Sequence, residues 1–135
     1  MGEGVTWVAQ LLRWSLGEDQ VGRAIRDSGV ARDELFVTTK LPPDHLGREQ
    51  QTLEHSLKNL GLDHIDLWLI HWPPRDGASV PVWKEFVMAQ QDGLVTSIGV
   101  SNYSLQEIDE LIDATGITPA AVSYTHLTLP TKRIV

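Results

Sequence analysis

Apolar and polar positions along this chain alternate between two periods. In "EDQVGRAIRDSG" Val21, Ala24, Ile25 and Ser28 recur at helical spacing, and Gly29 follows as the stop. "LFVTTK", from Leu35 to Lys40, is a short β-branched run that predicts a strand, ended by Pro42 and Pro43. "GREQQTLEHSLKNLG" puts Leu53, Leu57 and Leu60 on one side of a helix, with Gly61 closing it. "HIDLWLIHW" predicts a strand by its length and its proline boundary, and "VWKEFVMAQQDG" predicts a helix closed by Gly93. "LVTSIGVSN" predicts a third strand. "SLQEIDELIDATG" predicts a helix that opens on a capping box, Ser104 with Glu107 three residues on, and ends at Gly116.

The predicted order is α, β, α, β, α, β, α. Strands and helices alternating at this spacing form parallel sheets with right-handed crossovers. The strands are continuous apolar runs, as expected when both faces are covered. A doubly wound sheet and part of a (β/α)8 barrel both satisfy the pattern. No GxGxxG follows a strand and no GxxxxGK[ST] occurs, which counts against dinucleotide-fold and phosphate-loop readings.

In parallel α/β folds the chemistry gathers at the carboxyl ends of the strands. Lys40 ends one predicted strand, His71 the next, and Ser101 and Asn102 the third. That edge suits a carbonyl substrate. Hydride addition to a carbonyl creates an alkoxide that must be stabilised and protonated. A neutral imidazole can donate to that oxygen, a buried lysine can depress the pKa of a neighbouring acid, and Ser101 with Asn102 can hold a carboxamide. Each residue alone also has a plainer reading: a structural histidine, a solvated lysine, a cap and turn. Trp68 reads as core and Trp72 as core or rim packing. Asp66, inside a strand, is expected to pair with a backbone N–H or a nearby base, and carries no catalytic role.

Composition narrows the function classes. The chain has 135 residues, at most one ordinary domain, with 41% hydrophobic and 21% charged residues, close to globular averages. A net charge of -7 argues against nucleic-acid and anionic-membrane partners, which need a basic face. There is no cysteine, which removes disulfides and thiolate chemistry and fits a cytoplasmic protein. The histidines at 45, 55, 64, 71 and 126 form no HxxxH or HExxH pair, so no metal motif is read. The apolar patch "VTWVAQLL" lacks a basic lead-in and a small-residue cleavage site, so it does not read as a signal peptide. No run approaches the roughly 20 apolar residues of a membrane span.

Three segments, "VGRAIRDSGVARDELFVTTKL", "SLKNLGLDHIDLWLIHWP" and "DGLVTSIGVSNYS", closely resemble the aldo-keto reductases, in that family's order and spacing. The likeness is to a bacterial branch that includes diketogluconate reductases, and it covers residues 17–121. It implies part of a (β/α)8 barrel, about half, from roughly the second helix through the fifth. It implies a nicotinamide cofactor, NADPH in the parent family, and reduction of aldehydes and ketones. Lys40 matches the family's catalytic lysine and His71 its histidine, which orients the substrate carbonyl. Trp72 falls at a position lining the substrate pocket, and Ser101 and Asn102 match the pair that holds the nicotinamide carboxamide.

The resemblance breaks at both ends. The family carries a catalytic Asp and Tyr in a segment like "DTAxxYGNE" just ahead of "VGRAI". Here that place reads "LLRWSLGED", with Ser15 or Leu16 at the tyrosine position and no Asp before it. Residues 1–16 match nothing in the family and read as a replaced start or a wrong-frame translation. Tyr103 and Tyr124 sit at no matching position. After "ATGITPA" a motif like "NQxEYHP" is expected, but residues 122–135 begin "VSYTHLTLPT", which resembles a translated transposase adapter from sequencing libraries. These residues therefore read as a non-native read-through tail, against the alternative of a native β-prone strand. A complete barrel takes about 250 residues. The isolated chain is accordingly expected to be marginal, to aggregate, or to pair with a second copy through exposed strand edges.

Two function classes follow. The chain is a fragment of an NAD(P)H-dependent carbonyl reductase, inactive alone because the Tyr and Asp are absent. Alternatively it is a short product that has lost catalysis and acts as a binding or structural module. A third reading, with less behind it, makes Lys40 a Schiff-base amine.

Overall fold

The computed structural model describes residues 7–10, 18–75 and 77–123. Within them the chain runs β1 (Trp7–Gln10), α1 (Glu18–Ser28), β2 (Leu35–Leu41), α2 (Glu49–Leu60), β3 (Ile65–Ile70), α3 (Ser79–Gln91), β4 (Val95–Ser101), α4 (Leu105–Thr115) and β5 (Val122–Ser123). All the predicted helices and strands form. The apolar patch near the N-terminus adds a strand, because Trp7–Gln10 pairs in parallel with Leu35–Thr38. Val122 and Ser123 add a short fifth, paired in parallel with Val100 and Ser101. The remainder of the adapter-like stretch, with Tyr124, lies outside the described residues.

The five strands lie side by side in sequence order, β1-β2-β3-β4-β5, every pair parallel. A doubly wound sheet reverses its order at a switch point, and this one does not. Each crossover steps the same way, and crossovers of one hand then put every helix on one face. The sheet is thus wound as a barrel wall.

The helix-side face carries the core. Val37 and Leu41 of β2, Trp68 and Ile70 of β3, and Ile98 and Val100 of β4 join Leu53, Leu57 and Leu60 of α2, Val82, Trp83 and Phe86 of α3, and Leu111 of α4 in one buried cluster. Trp68 stacks flat on Phe86 at 3.7 Å between ring centroids, fixing α3 over β3. Such a pair contributes roughly 0.5–1.5 kcal/mol beyond its buried area. Trp83 also donates its indole N–H to the Ile117 carbonyl. Helix α3 begins at Ser79, earlier than the sequence pattern predicts, and contains Pro81. A proline fits the first turn because N–H groups there have no intrahelical acceptor.

Two polar clamps set how the elements meet. Asp66 accepts from the Val37 backbone N–H at 2.7 Å and pairs with Arg32 at 2.8 Å. Both expected partners of this carboxylate are present. Arg32 also donates to the carbonyls of Leu35 and His64, so one guanidinium ties the starts of β2 and β3 together. Glu18, at the start of α1, accepts from Thr39 of β2 and Ser56 of α2.

Helix α1 lies close against the backbone of α2 at Gly22. A Cβ there would lie 2.6 Å from the Asn59 carbonyl oxygen and 2.9 Å from the Leu60 Cα, both backbone atoms that cannot swing aside. Alanine improves intrinsic helix propensity by about 1 kcal/mol, but overpacking costs about 1–3 kcal/mol and here requires two helices to part. Gly22→Ala is expected to lower the urea unfolding midpoint; an unchanged or higher midpoint would contradict the packing.

Candidate active site

Strand parity decides which side chains face the interior of the wall. Thr39 reaches Glu18 on the helix side, so Thr38 and Lys40 face the other way. The register aligns Lys40 with Leu69 and Leu69 with Gly99. One row lower, Thr38 aligns with Leu67 and Leu67 with Ser97. Trp68, Ile98 and Val100 are in the helix-side core, so Leu69, Gly99 and Ser101 share the inner face with Lys40.

His71 follows β3 directly and still extends the ladder, its N–H donating to the Leu41 carbonyl at 3.2 Å. It lies two residues, about 7 Å, along the strand from Leu69 and therefore on the same face. The imidazole is buried, and Trp72 sits beside it with ring centroids 5.9 Å apart and the rings tilted by 32°. The structure therefore brings Lys40, His71, Trp72, Ser101 and Asn102 to one edge of the sheet. The expected tyrosine position, Ser15 or Leu16, lies outside the described residues.

The Ser101 side chain is fully buried, and its hydroxyl meets no hydrogen-bond partner among the described residues. An orphaned hydroxyl on the inner face is what a polar ligand group at this edge would satisfy. Asn102 adopts the left-handed conformation at φ 62°, the one non-glycine described residue to do so. Its side-chain N–H donates to the His71 carbonyl at 2.9 Å and its backbone N–H to the Ser123 carbonyl at 2.8 Å. Asn102 thus stitches β3, β4 and β5 together just beyond their ends, a structural duty that sequence reading did not assign to it.

Lys40 is half-buried, and burial lowers its pKa from the ordinary 10.5. No described residue offers its ammonium an ion pair or hydrogen bond. Tyr103 is a different case. It is buried in the helix-side core, with its hydroxyl 3.1 Å from Ser79 Oγ. Burial pushes its pKa up to about 12; the Ser79 hydrogen bond opposes this and the Glu107 charge adds to it. It is not placed to serve as a proton donor on the inner face. A shallow depression lined by Gly47, Arg48, Glu49 and Glu85 includes none of the strand-end side chains. Among the described residues no cluster of His, Cys, Asp or Glu could hold a metal ion, and no helix is long and apolar enough to cross a membrane.

A singly wound parallel wall of consecutive βα units defines a (β/α)-barrel architecture. The Aldo/keto reductase family model matches residues 14–134, and the chain belongs to that family. It is 50% identical over 103 residues to the methylglyoxal reductase DkgA of Yersinia pestis, a match covering 76% of this chain and 37% of that protein. The crystal structure of an aldo/keto reductase from Brucella melitensis superposes with a TM-score of 0.76 at 40% identity, covering 80% of this chain and 43% of that one. An aldo-keto reductase of Bombyx mori, solved in complex with NADP, gives a TM-score of 0.71 at 41% identity, covering 79% and 39%. The chain therefore spans well under half the length of these relatives, and its fold is a partial (β/α)8 barrel.

Two expectations follow. Asn102→Ala removes a hydrogen bond and forces alanine into the left-handed region, together about 1–3 kcal/mol of stability. Asn102→Gly relieves only the backbone strain, so its melting temperature should fall between those of Asn102→Ala and the parent; equal losses would remove the conformational argument. For Lys40, a lowered folded pKa means that the folded chain binds fewer protons than the unfolded one between that value and 10.5. The charge penalty is complete below this window and fades as pH rises through it. Lys40→Met should therefore be more stable than the parent at pH 7, with an advantage that shrinks toward pH 10.5. Melts across pH that show a constant difference would count against a desolvated ammonium.

Proposed function

We propose that this chain is a segment of an NAD(P)H-dependent oxidoreductase that reduces aldehydes or ketones to alcohols in the cytoplasm. The observation that carries the reading is the convergence of Lys40, His71 and Ser101 on one edge of a parallel wall, in a chain of this family. His71 donates a hydrogen bond to the substrate carbonyl oxygen and fixes its orientation. The Lys40 ammonium stabilises negative charge developing on that oxygen. Trp72 walls the substrate site beside His71. The buried Ser101 hydroxyl and the Asn102 amide hold the carboxamide of the nicotinamide, whose reduced form supplies the hydride when bound. DkgA of Yersinia pestis is named for methylglyoxal, which supports a small carbonyl compound as the substrate class.

The same reading makes the chain inactive by itself. Residues 1–17 contain neither Tyr nor Asp, so the family's proton donor and its acidic partner are absent from the segment before α1. Lys40 and His71 then orient and polarise a carbonyl with no phenol to protonate it. Its outer strands, β1 and β5, present edges that favour pairing with a second copy.

The test is a chimera in which residues 17–121 replace the matching segment of the Yersinia pestis relative, so that the relative supplies its own upstream residues. The chimera should oxidise NADPH in the presence of a small aldehyde, and the isolated 135-residue chain should not. Within the chimera, Lys40→Met should lower kcat by about 10²–10⁴-fold, and Ser101→Ala should raise the KM for NADPH. A folded chimera without turnover, or an isolated chain with turnover, would overturn the reading.

A further inference from the structure

We propose that Ser79 and Tyr103 are positioning residues: the hydrogen bond between their hydroxyls holds the connection from β3 to α3 so that Trp72 keeps its place beside His71. The proposal deepens the substrate-site reading above and rests on it for the role of Trp72. Strand β3 ends at Ile70 and α3 begins at Ser79. The segment between them is tied at both ends to two consecutive residues that follow β4. At its start the His71 carbonyl accepts from the Asn102 side chain at 2.9 Å. At its far end Ser79 Oγ lies 3.1 Å from the Tyr103 hydroxyl oxygen.

The far tie is not a local helix cap. Ala78 stands at the N-cap of α3 and makes no side-chain bond to the first turn. The Ser79 hydroxyl, one place on, meets a partner 24 positions away. That partner is held firmly. The Tyr103 ring is buried in the helix-side core, and Asn102 just before it donates its backbone N–H to the Ser123 carbonyl. Between the ties, Pro73 and Pro74 fix their own φ at about −65° and restrict Trp72 to extended backbone. Gly77, at φ 77°, bends the chain toward α3. A stiff Trp72–Pro74 stretch passes on what happens at Ser79. With that end released, Trp72 can leave its setting 5.9 Å from the His71 ring.

Hydrogen exchange followed by mass spectrometry tests the tie, in the full chain and in the chimera. Tyr103→Phe and Ser79→Ala each remove one hydroxyl and keep the surrounding packing. Each should speed exchange of the amides of residues 72–79 by about two- to tenfold, the effect of one lost hydrogen bond, with the β2 and β4 amides unchanged. The double variant should exchange no faster than either single one, because both break the same bond. Ser79→Thr, which keeps a hydroxyl, should exchange like the parent. In the chimera Tyr103→Phe and Ser79→Ala should raise the KM for a small aldehyde by a similar factor and leave kcat and the KM for NADPH unchanged. Unchanged exchange, equal acceleration in β2 and β4, or additive effects in the double variant would overturn the proposal. So would faster exchange with an unchanged KM for the aldehyde. A chimera that folds without turnover sinks the reductase reading instead, and exchange alone then decides whether the tie holds.

Discussion

The parallel register of β2, β3 and β4 is the constraint on which the candidate site depends. Lys40, Leu69 and Gly99 form one row, and the residues two positions further along supply His71 and Ser101. Side chains alternate strictly along a strand, so a slip of one residue would move Lys40 to the helix side, among Val37, Leu41 and Trp68. It would also exchange the buried apolar row for a row of threonine and serine. Clamps at both ends of β3 oppose such a slip. At its start Asp66 holds the Val37 N–H and Arg32; just past its end the His71 carbonyl accepts from Asn102. Gly99 shows how tightly the rows close: a Cβ there would lie 2.5 Å from the Ala121 carbonyl oxygen and 2.7 Å from Leu69 Cδ2.

Asn102 links the fold to the site. Its left-handed backbone turns the chain sharply out of β4, and its amide reaches back to β3. Asparagine tolerates that conformation better than most residues, because its short polar side chain can bond locally. The turn also delivers Tyr103 into the helix-side core and Ser104 to the capping box that starts α4. One residue thus ends a strand, braces the segment bearing His71 and begins the next helix.

Much of this was legible in the sequence, because the signals were local. Gly61 and Gly116 mark helix ends, Ser104 with Glu107 marks a helix start, and the apolar runs of β2, β3 and β4 stop where the structure stops them to within a residue or two. Lys40, His71, Ser101 and Asn102 could be set at one edge because parallel strands all end on the same side. Other features were illegible for physical reasons. Trp7–Gln10 becomes a strand only by pairing with β2, a partner 28 positions away at Trp7↔Leu35. Arg32 looks like a loop cation until the fold brings Asp66 to it. The choice between a doubly wound sheet and a barrel wall is a matter of strand order, which periodicity does not encode.

The two edges of the sheet differ in how well their polar groups are served. At the edge where the strands begin, the Asp66 carboxylate and the terminal nitrogens of Arg32 are bonded, and Arg32 Nε alone is left without a partner. At the edge where they end stand a buried hydroxyl with no partner, a half-buried ammonium with no counter-charge among the described residues, and an asparagine in the left-handed region. Each costs stability locally, on the order of 1 kcal/mol or more. Side-chain packing on the helix face requires neither the hydroxyl nor the ammonium. The rim where the strands end thus carries a buried hydroxyl and an ammonium that no described residue satisfies. The orphaned Ser101 hydroxyl is the sharpest instance, since alanine would fit the same space without an unsatisfied oxygen.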